Sequence, residues 1–410
     1  MKIFIIMIFF AGFILAKSQL QEVIDKTPAY SKIELPNGVF QAPIFINKPL
    51  ILKGSKYTVI QGNTKGTLLH IKGSNITIEN ITFKKSGNQR YSLDSAIRID
   101  SSSKIRVKNC KFQEVLFGVI FYDSFDSVID NSTFKSYKEP IADNRGDSVR
   151  LWNCKNITIK DNNISNSRDI SINRSQNITI KNNYEKNGRY GILINMSKNV
   201  NVERNKILSN YVGIMCEGSS DINITKNNII KSHLSTGTGI MLSGGKNIHI
   251  TLNKIKSHAQ AIYVSTTLAE LGMRRYIEFN DISNNNTAFH FYQTIKNNTI
   301  KNNNITNNLD DVVKDVRGGK YFENDIKLNF WDKNKGFDRN EDGISDTPYL
   351  VMIYADKLWQ FNHKLKLFYG TPLLSIVDFI EKLAPFSEPV LLMKDTSPMI
   401  TPISLDAGTL

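Results

Sequence analysis

The chain has 410 residues, a formal net charge of +14, 40% hydrophobic residues and 22% charged residues. That apolar share supports a large core and excludes wholesale disorder, while 24 Gly and 11 Pro exclude collagen-like or Pro/Gly low-complexity sequence. The lysines are scattered singly, without a basic helix, an RNA-binding sheet motif or zinc-finger spacing, so the charge reads as a solvated surface with no nucleic-acid partner. The outlier is asparagine, with 45 residues, about 11% of the chain and about twice the ordinary share.

Met1-Lys2 precedes an uncharged apolar run from Ile3 to Ala16, the length of a secretory h-region and too short to span a bilayer comfortably. Ala16 and Ser18 stand before a plausible cut at Gln19, so residues 1–18 are expected to be a signal peptide and the mature protein exported; an uncleaved anchor is the competing reading. Cys110, Cys154 and Cys216 form no CxxC and are expected to be buried free thiols.

From about residue 59 to 305 the sequence repeats itself. Asn75-Ile-Thr-Ile, Asn156-Ile-Thr-Ile, Asn177-Ile-Thr-Ile and Asn247-Ile-His-Ile are copies of one strand motif. Aligned on the first apolar residue, the repeats start at Ile76, Ile105, Val128, Ile157, Ile178, Val200, Ile222, Ile248 and Ile277, in steps of about 21 to 29 residues. Each copy alternates apolar and polar residues, and no helix intervenes. This predicts an all-β fold, a right-handed parallel β-helix solenoid over residues 19–322. Asparagine would then serve the turns, where it tolerates left-handed backbone.

Solenoid register converts sequence into columns spaced about 4.8 Å apart. One outward column should hold Arg98, Ile120, Arg150, Ser171, Leu193, Met215, Met241, Tyr263 and His290, and the next Asp100, Tyr122, Trp152, Asn173, Asn195, Glu217, Ser243 and Tyr292. Asn228-Ile-Ile-Lys-Ser-His233 and Asn253-Lys-Ile-Lys-Ser-His258 place two histidines at equivalent turn positions of neighbouring coils, where they should stand close together. Met215, Met241, His233 and His258 therefore make a candidate copper patch, because thioether and imidazole donors suit Cu(I). The competing readings are thioethers covered by the C-terminal segment and histidines stacked on the surface.

After Asn308 the repeat fades into an Asp-rich module over 323–370. Asp338, Asn340, Asp342, Gly343 and Asp346 match positions 1, 3, 5, 6 and 9 of a calcium loop, with Tyr349 where the bidentate Glu belongs. A turn held by Asx hydrogen bonds competes with calcium binding. Residues 371–410 read as a helix and tail: Thr371 as N-cap, Pro372 at N1, and a very apolar run to Ala384 before Pro385. This segment either caps the solenoid or docks on a partner.

The whole chain resembles the NosD-type periplasmic maturation proteins of nitrous oxide reductase. The resemblance rests on the repeats together with Arg145-Gly-Asp147, Leu151-Trp-Asn153, Ser167-Arg-Asp-Ile170 and Gly188-Arg-Tyr-Gly191. It rests most on the ordered signatures Asn329-Phe-Trp331, Gly336-Phe-Asp338, Asp342-Gly-Ile-Ser-Asp346, Gly370-Thr-Pro-Leu373 and Asp395-Thr-Ser-Pro-Met399. It implies a non-catalytic exported protein that handles copper with the ATPase and membrane subunits of an ABC transporter. The resemblance also implies a copper-chaperone lipoprotein and nitrous oxide reductase as partners, with the C-terminal helix docking on the transporter. Similar members read Arg-Tyr-Gly-x-His-x-Met where this chain has Arg189-Tyr-Gly-Ile-Leu-Ile-Asn195, so Leu193 and Asn195 replace the expected His and Met. The alternative, a polysaccharide lyase or hydrolase, requires paired carboxylates in a groove, and Asp310-Asp311 is the adjacent pair the sequence offers.

Overall fold

The computed structural model describes residues 5–7, 17–232, 236–265, 273–315, 324–353, 371–372, 376, 379–380 and 390–405. Three parallel sheets of 14, 12 and 13 strands run its length, each strand pairing with its counterpart one coil earlier and one coil later. A representative coil contains Gln176–Lys181, Tyr184–Lys186 and Tyr190–Asn195, and the next begins at Lys198–Glu203. This is the all-β parallel solenoid expected from the repeat.

The period-2 pattern is why these short segments become strands: alternate residues turn inward and stack on their equivalents. Ile157, Ile178, Val200, Ile222 and Ile248 are one such internal stack, each essentially fully buried. Burial of such a side chain is worth about 1.5–3 kcal/mol, so the repeated stack is the main source of cohesion.

Asparagine does two jobs. At the outer corners Asn156, Asn177 and Asn199 have φ of 52–56° and link side chain to side chain from coil to coil. Inside, Asn162, Asn183, Asn205, Asn227, Asn253, Asn280, Asn303 and Asn329 form a buried ladder. Each Nδ2 donates to the next Oδ1 at 2.8–3.1 Å. Backbone amides that a tight corner would strand are thereby satisfied.

Two repeat starts differ from expectation. Val107 pairs with Ile129, so Val128 faces outward and Ser127 takes the inward position. Its Oγ accepts from the Ile105 amide at 3.0 Å and donates to the Phe125 carbonyl at 2.9 Å, which lets a small polar residue stand in an aliphatic stack. Ile277 pairs with Ile250, not Ile248; the residue opposite Ile248 is the buried Arg275.

Both ends are closed. Helix Lys17–Lys26 covers the first coil with buried Leu20 and Ile24. Of the proposed leader, only Ile5–Met7 is described, as a strand parallel to Ser31–Glu34. At the other end Tyr349–Ile353 and Val390–Asp395 form an antiparallel pair. Asp395 Oδ2 ends the asparagine ladder, accepting from the Asn329 amide (3.2 Å), Asn329 Nδ2 (2.8 Å) and Trp331 Nε1 (2.9 Å). The tail continues along the last coils, where Asn304 and Ile403 exchange two hydrogen bonds. The choice between cap and docking segment thus divides: the tail caps the solenoid, whereas the described helical residues Pro372, Ile376, Phe379 and Ile380 are exposed.

Candidate functional site

Strand pairing places Arg98, Ile120, Arg150, Ser171, Leu193, Met215, Met241, Tyr263 and His290 in one outward column, in the order read from sequence. Met215 and Met241 are register partners on the paired strands Val212–Glu217 and Thr238–Ser243. Met215 is 9% exposed, and Met241 is half-buried. Beyond them, Tyr263 meets His290 edge-on at 5.1 Å, and His290 Nε2 lies 2.7 Å from Asp315 Oδ1.

The histidine part of the copper patch is corrected. Asn228 pairs with Lys254, so the position equivalent to His258 is Ser232 and not His233. The ladder explains the one-residue offset: Asn227, not Asn228, continues the line from Asn205 to Asn253. His258 is 4% exposed and turns to the inner side of its corner. Its Nε2 lies 3.1 Å from the Ile229 carbonyl, and its amide donates to Asn285 Oδ1. Burial pushes its pKa down to about 4, so the ring is neutral at ordinary pH. His233 lies outside the described residues. Of the four expected ligands, Met215 and Met241 are brought together and His258 is held away from the outer face. Cys216 on the same strand as Met215 faces inward, its thiol pushed up to about 12 by burial. All three cysteines are buried and free.

In the Asp-rich loop the carboxylates are engaged by the loop's own amides. Asp338 accepts from Asp342 and Gly343, Asp342 from Ile344, and Asp346 from Arg339, while Asn340 donates to Asp342. Glu341 and Gly343 have φ of 59° and 84°. Tyr349 turns away from the loop and donates to Asp311 at 2.6 Å. Among the described residues no group of three or more His, Cys, Asp or Glu is arranged to hold a metal. The geometry is that of an Asx-stabilised turn.

Asp310-Asp311 does not present a carboxylate pair to a groove. Asp311 is buried, paired with Lys333 Nζ at 3.1 Å and bonded by Tyr349.

A cluster that the sequence reading treated only as signature motifs lies on neighbouring coils. Asp147 and Asp169 are each 2% exposed. Arg189 holds Asp169 through Nη2 at 2.5 Å and Asp143 at 3.3 Å. Arg168 and Arg150 stand 3.9 Å from Asp147. Burial, then repulsion from Asp169, raises the Asp147 carboxyl above the ordinary range, and the three arginines oppose that rise. One coil further, Glu185 occupies an inward position between Ile164 and Ile207 and accepts from Asn210 Nδ2; burial raises its pKa strongly. A carboxyl at an inward position of a strand pattern is the signal that would have flagged it.

A sequence profile described as periplasmic copper-binding protein (NosD) matches residues 136–336, which include the Met pair and the Arg–Asp cluster. A probable ABC transporter binding protein NosD of Stutzerimonas stutzeri is 24% identical over 136 residues, 33% of this chain and 31% of the relative. The match thus spans about a third of that relative's length. Among solved structures, the A-module of a mannuronan C-5 epimerase from Azotobacter vinelandii superposes with a TM-score of 0.58 at 12% identity, over 72% of this chain and 92% of that one. The Streptococcus pneumoniae surface adhesin PfbA gives 0.58 at 14%, over 82% and 92%. At such identities these likenesses establish the β-helix alone. Through the coils of residues 136–336, the chain is therefore similar to the NosD family of periplasmic copper-binding proteins.

Proposed function

We propose that this protein is a non-catalytic periplasmic accessory factor that handles copper for maturation of nitrous oxide reductase, working with an ABC transporter. The observation that carries the reading is the family match across the coils that pair Met215 with Met241. Copper is cargo here: two neutral thioethers hold Cu(I) weakly enough to release it. Residues 1–18 direct export and are removed. A copper-chaperone lipoprotein supplies the metal, and the reductase receives it. The exposed helical residues Ile376, Phe379 and Ile380 recur at the spacing of one helix face and support docking on the transporter's membrane subunit.

The test is Cu(I) titration against a chromophoric chelator, with co-purification of the transporter as a second arm. Met215→Ala with Met241→Ala should weaken Cu(I) binding at least tenfold. Unchanged affinity in the double variant eliminates this site. Ile376→Asp with Phe379→Asp should abolish transporter co-purification and leave Cu(I) binding intact.

A further inference from the structure

Three signature motifs lie on other coils than Met215 and Met241. Arg145-Gly-Asp147, Ser167-Arg-Asp-Ile170 and Gly188-Arg-Tyr-Gly191 come from successive coils and converge on the buried Asp147–Asp169 pair. Two loops roof the place. Arg90 in the first donates to the Asp143 and Arg145 carbonyls of the second, and Tyr137 in the second donates to the Ser86 carbonyl of the first. Arg145 is spent on the Glu139, Pro140 and Asn187 carbonyls, and Arg189 on Asp169 and Asp143.

What remains is incomplete. Asp147 Oδ1, Arg150 Nε and Arg168 Nε are buried atoms without a hydrogen-bond partner. Asp147 stands 3.9 Å from Arg150 Nη1 and from Arg168 Nη1, beyond hydrogen-bond length. Such orphaned atoms in a buried network are costly unless something else completes them. The three orphaned atoms themselves are closed to solvent, but the Arg150 and Arg168 side chains that carry two of them remain 24% and 22% exposed. The second loop also walls a recess of about 360 Å³ whose charged lining is Lys135, Lys138, Arg145 and Glu139, a net positive set.

The unfilled atoms specify the ligand's chemistry. Two guanidinium donors ask for the oxygens of an anion. The Asp147 oxygen asks for a hydroxyl donor and repels a simple anion. A neutral sugar supplies hydroxyls without charge, and sulfate supplies charge without a donor. A sugar acid supplies both. We propose that Asp147, Arg150 and Arg168 bind a uronate unit of an acidic oligosaccharide, with Lys135 and Lys138 meeting further units of the chain. The neighbouring Tyr122–Trp152 stack, flanked by Arg98 and Arg174, forms a rigid rim and brings a fluorescent reporter beside the site.

The test is titration of the full mature chain with oligogalacturonate, followed by calorimetry and tryptophan fluorescence at low and moderate salt. Maltohexaose and sodium sulfate are the controls. Oligogalacturonate should bind and weaken with salt, and maltohexaose should not. Arg150→Gln should weaken binding at least tenfold and Asp147→Asn at least threefold, while Arg168→Lys, which keeps the charge, should lie between wild type and Arg150→Gln. Unchanged circular dichroism and an unchanged thermal midpoint for each variant show that it is folded. The proposal falls if wild type does not bind oligogalacturonate, which would leave ordered water as the completing group. It also falls if maltohexaose binds equally, if sulfate competes at the same concentration, or if the folded variants bind as wild type does.

Discussion

Asp395→Ala offers the sharpest test of how the solenoid end is held. The Asp395 side chain is 1% exposed, and its Oδ2 is the acceptor for three donors: the Asn329 amide, Asn329 Nδ2 and Trp331 Nε1. Alanine removes the acceptor of the Asn329 amide and of Trp331 Nε1 and one acceptor of Asn329 Nδ2, which keeps the Ile300 carbonyl at 2.8 Å, at about 1–3 kcal/mol for each lost bond. Water entering at the solenoid end recovers part of that, so the expected local loss is about 3–6 kcal/mol. Coils contact only their neighbours, so the loss should appear as fraying of the last coil and of Val390–Asp395, with the central coils unaffected. Hydrogen exchange should speed up by about 10²–10⁴-fold at Asn329 to Trp331 and along 390–395. Asp395→Asn keeps a carbonyl for the three donors and should cost only about 1 kcal/mol. If Asp395→Ala exchanges like wild type at those amides, the carboxylate is not what seals the ladder.

Glu185→Gln tests the buried carboxyl. With its folded pKa raised, the unfolded chain ionises first as pH rises, so wild-type stability should fall above the ordinary carboxylate range. Glu185→Gln should lose that slope, and equal urea midpoints for both proteins from pH 4 to pH 8 would refute the reading. His258→Asn should leave Cu(I) affinity unchanged and cost under about 1 kcal/mol, because Asn285 and Asn308 fill the same position in the next coils; a tenfold drop in Cu(I) affinity would return His258 to the metal site. Calcium addition or chelation should leave thermal unfolding unmoved, because the Asp338–Asp346 carboxylates already serve loop amides; a calcium-dependent rise in Tm would show that they turn outward.

Much of the outer face was legible in one dimension. A strand period of two and coils of about 22 residues dictate which side chains stack, so the Arg98-to-His290 column followed from counting. Counting fails where a coil contains two candidate anchors. Asn227 and Asn228 are chemically identical, and only the buried ladder decides between them, which moves His258 to the inside of a corner. Ser127 shows the same limit, since a hydroxyl that bonds two backbone groups can replace an aliphatic residue without disturbing the pattern's outward half.

Sequence alone determined the architecture and its columns, because a solenoid is built from local, repeated rules. Tertiary structure decided what those rules do not reach. It set which atoms of the Arg–Asp cluster remain unfilled beneath two loops far apart in the chain. It also decided that Asp395, 66 residues beyond its ladder neighbour Asn329, closes the core. Both depend on segments that do not follow the repeat, two loops inserted within it and a tail beyond it, and no period in the sequence encodes where such a segment lands.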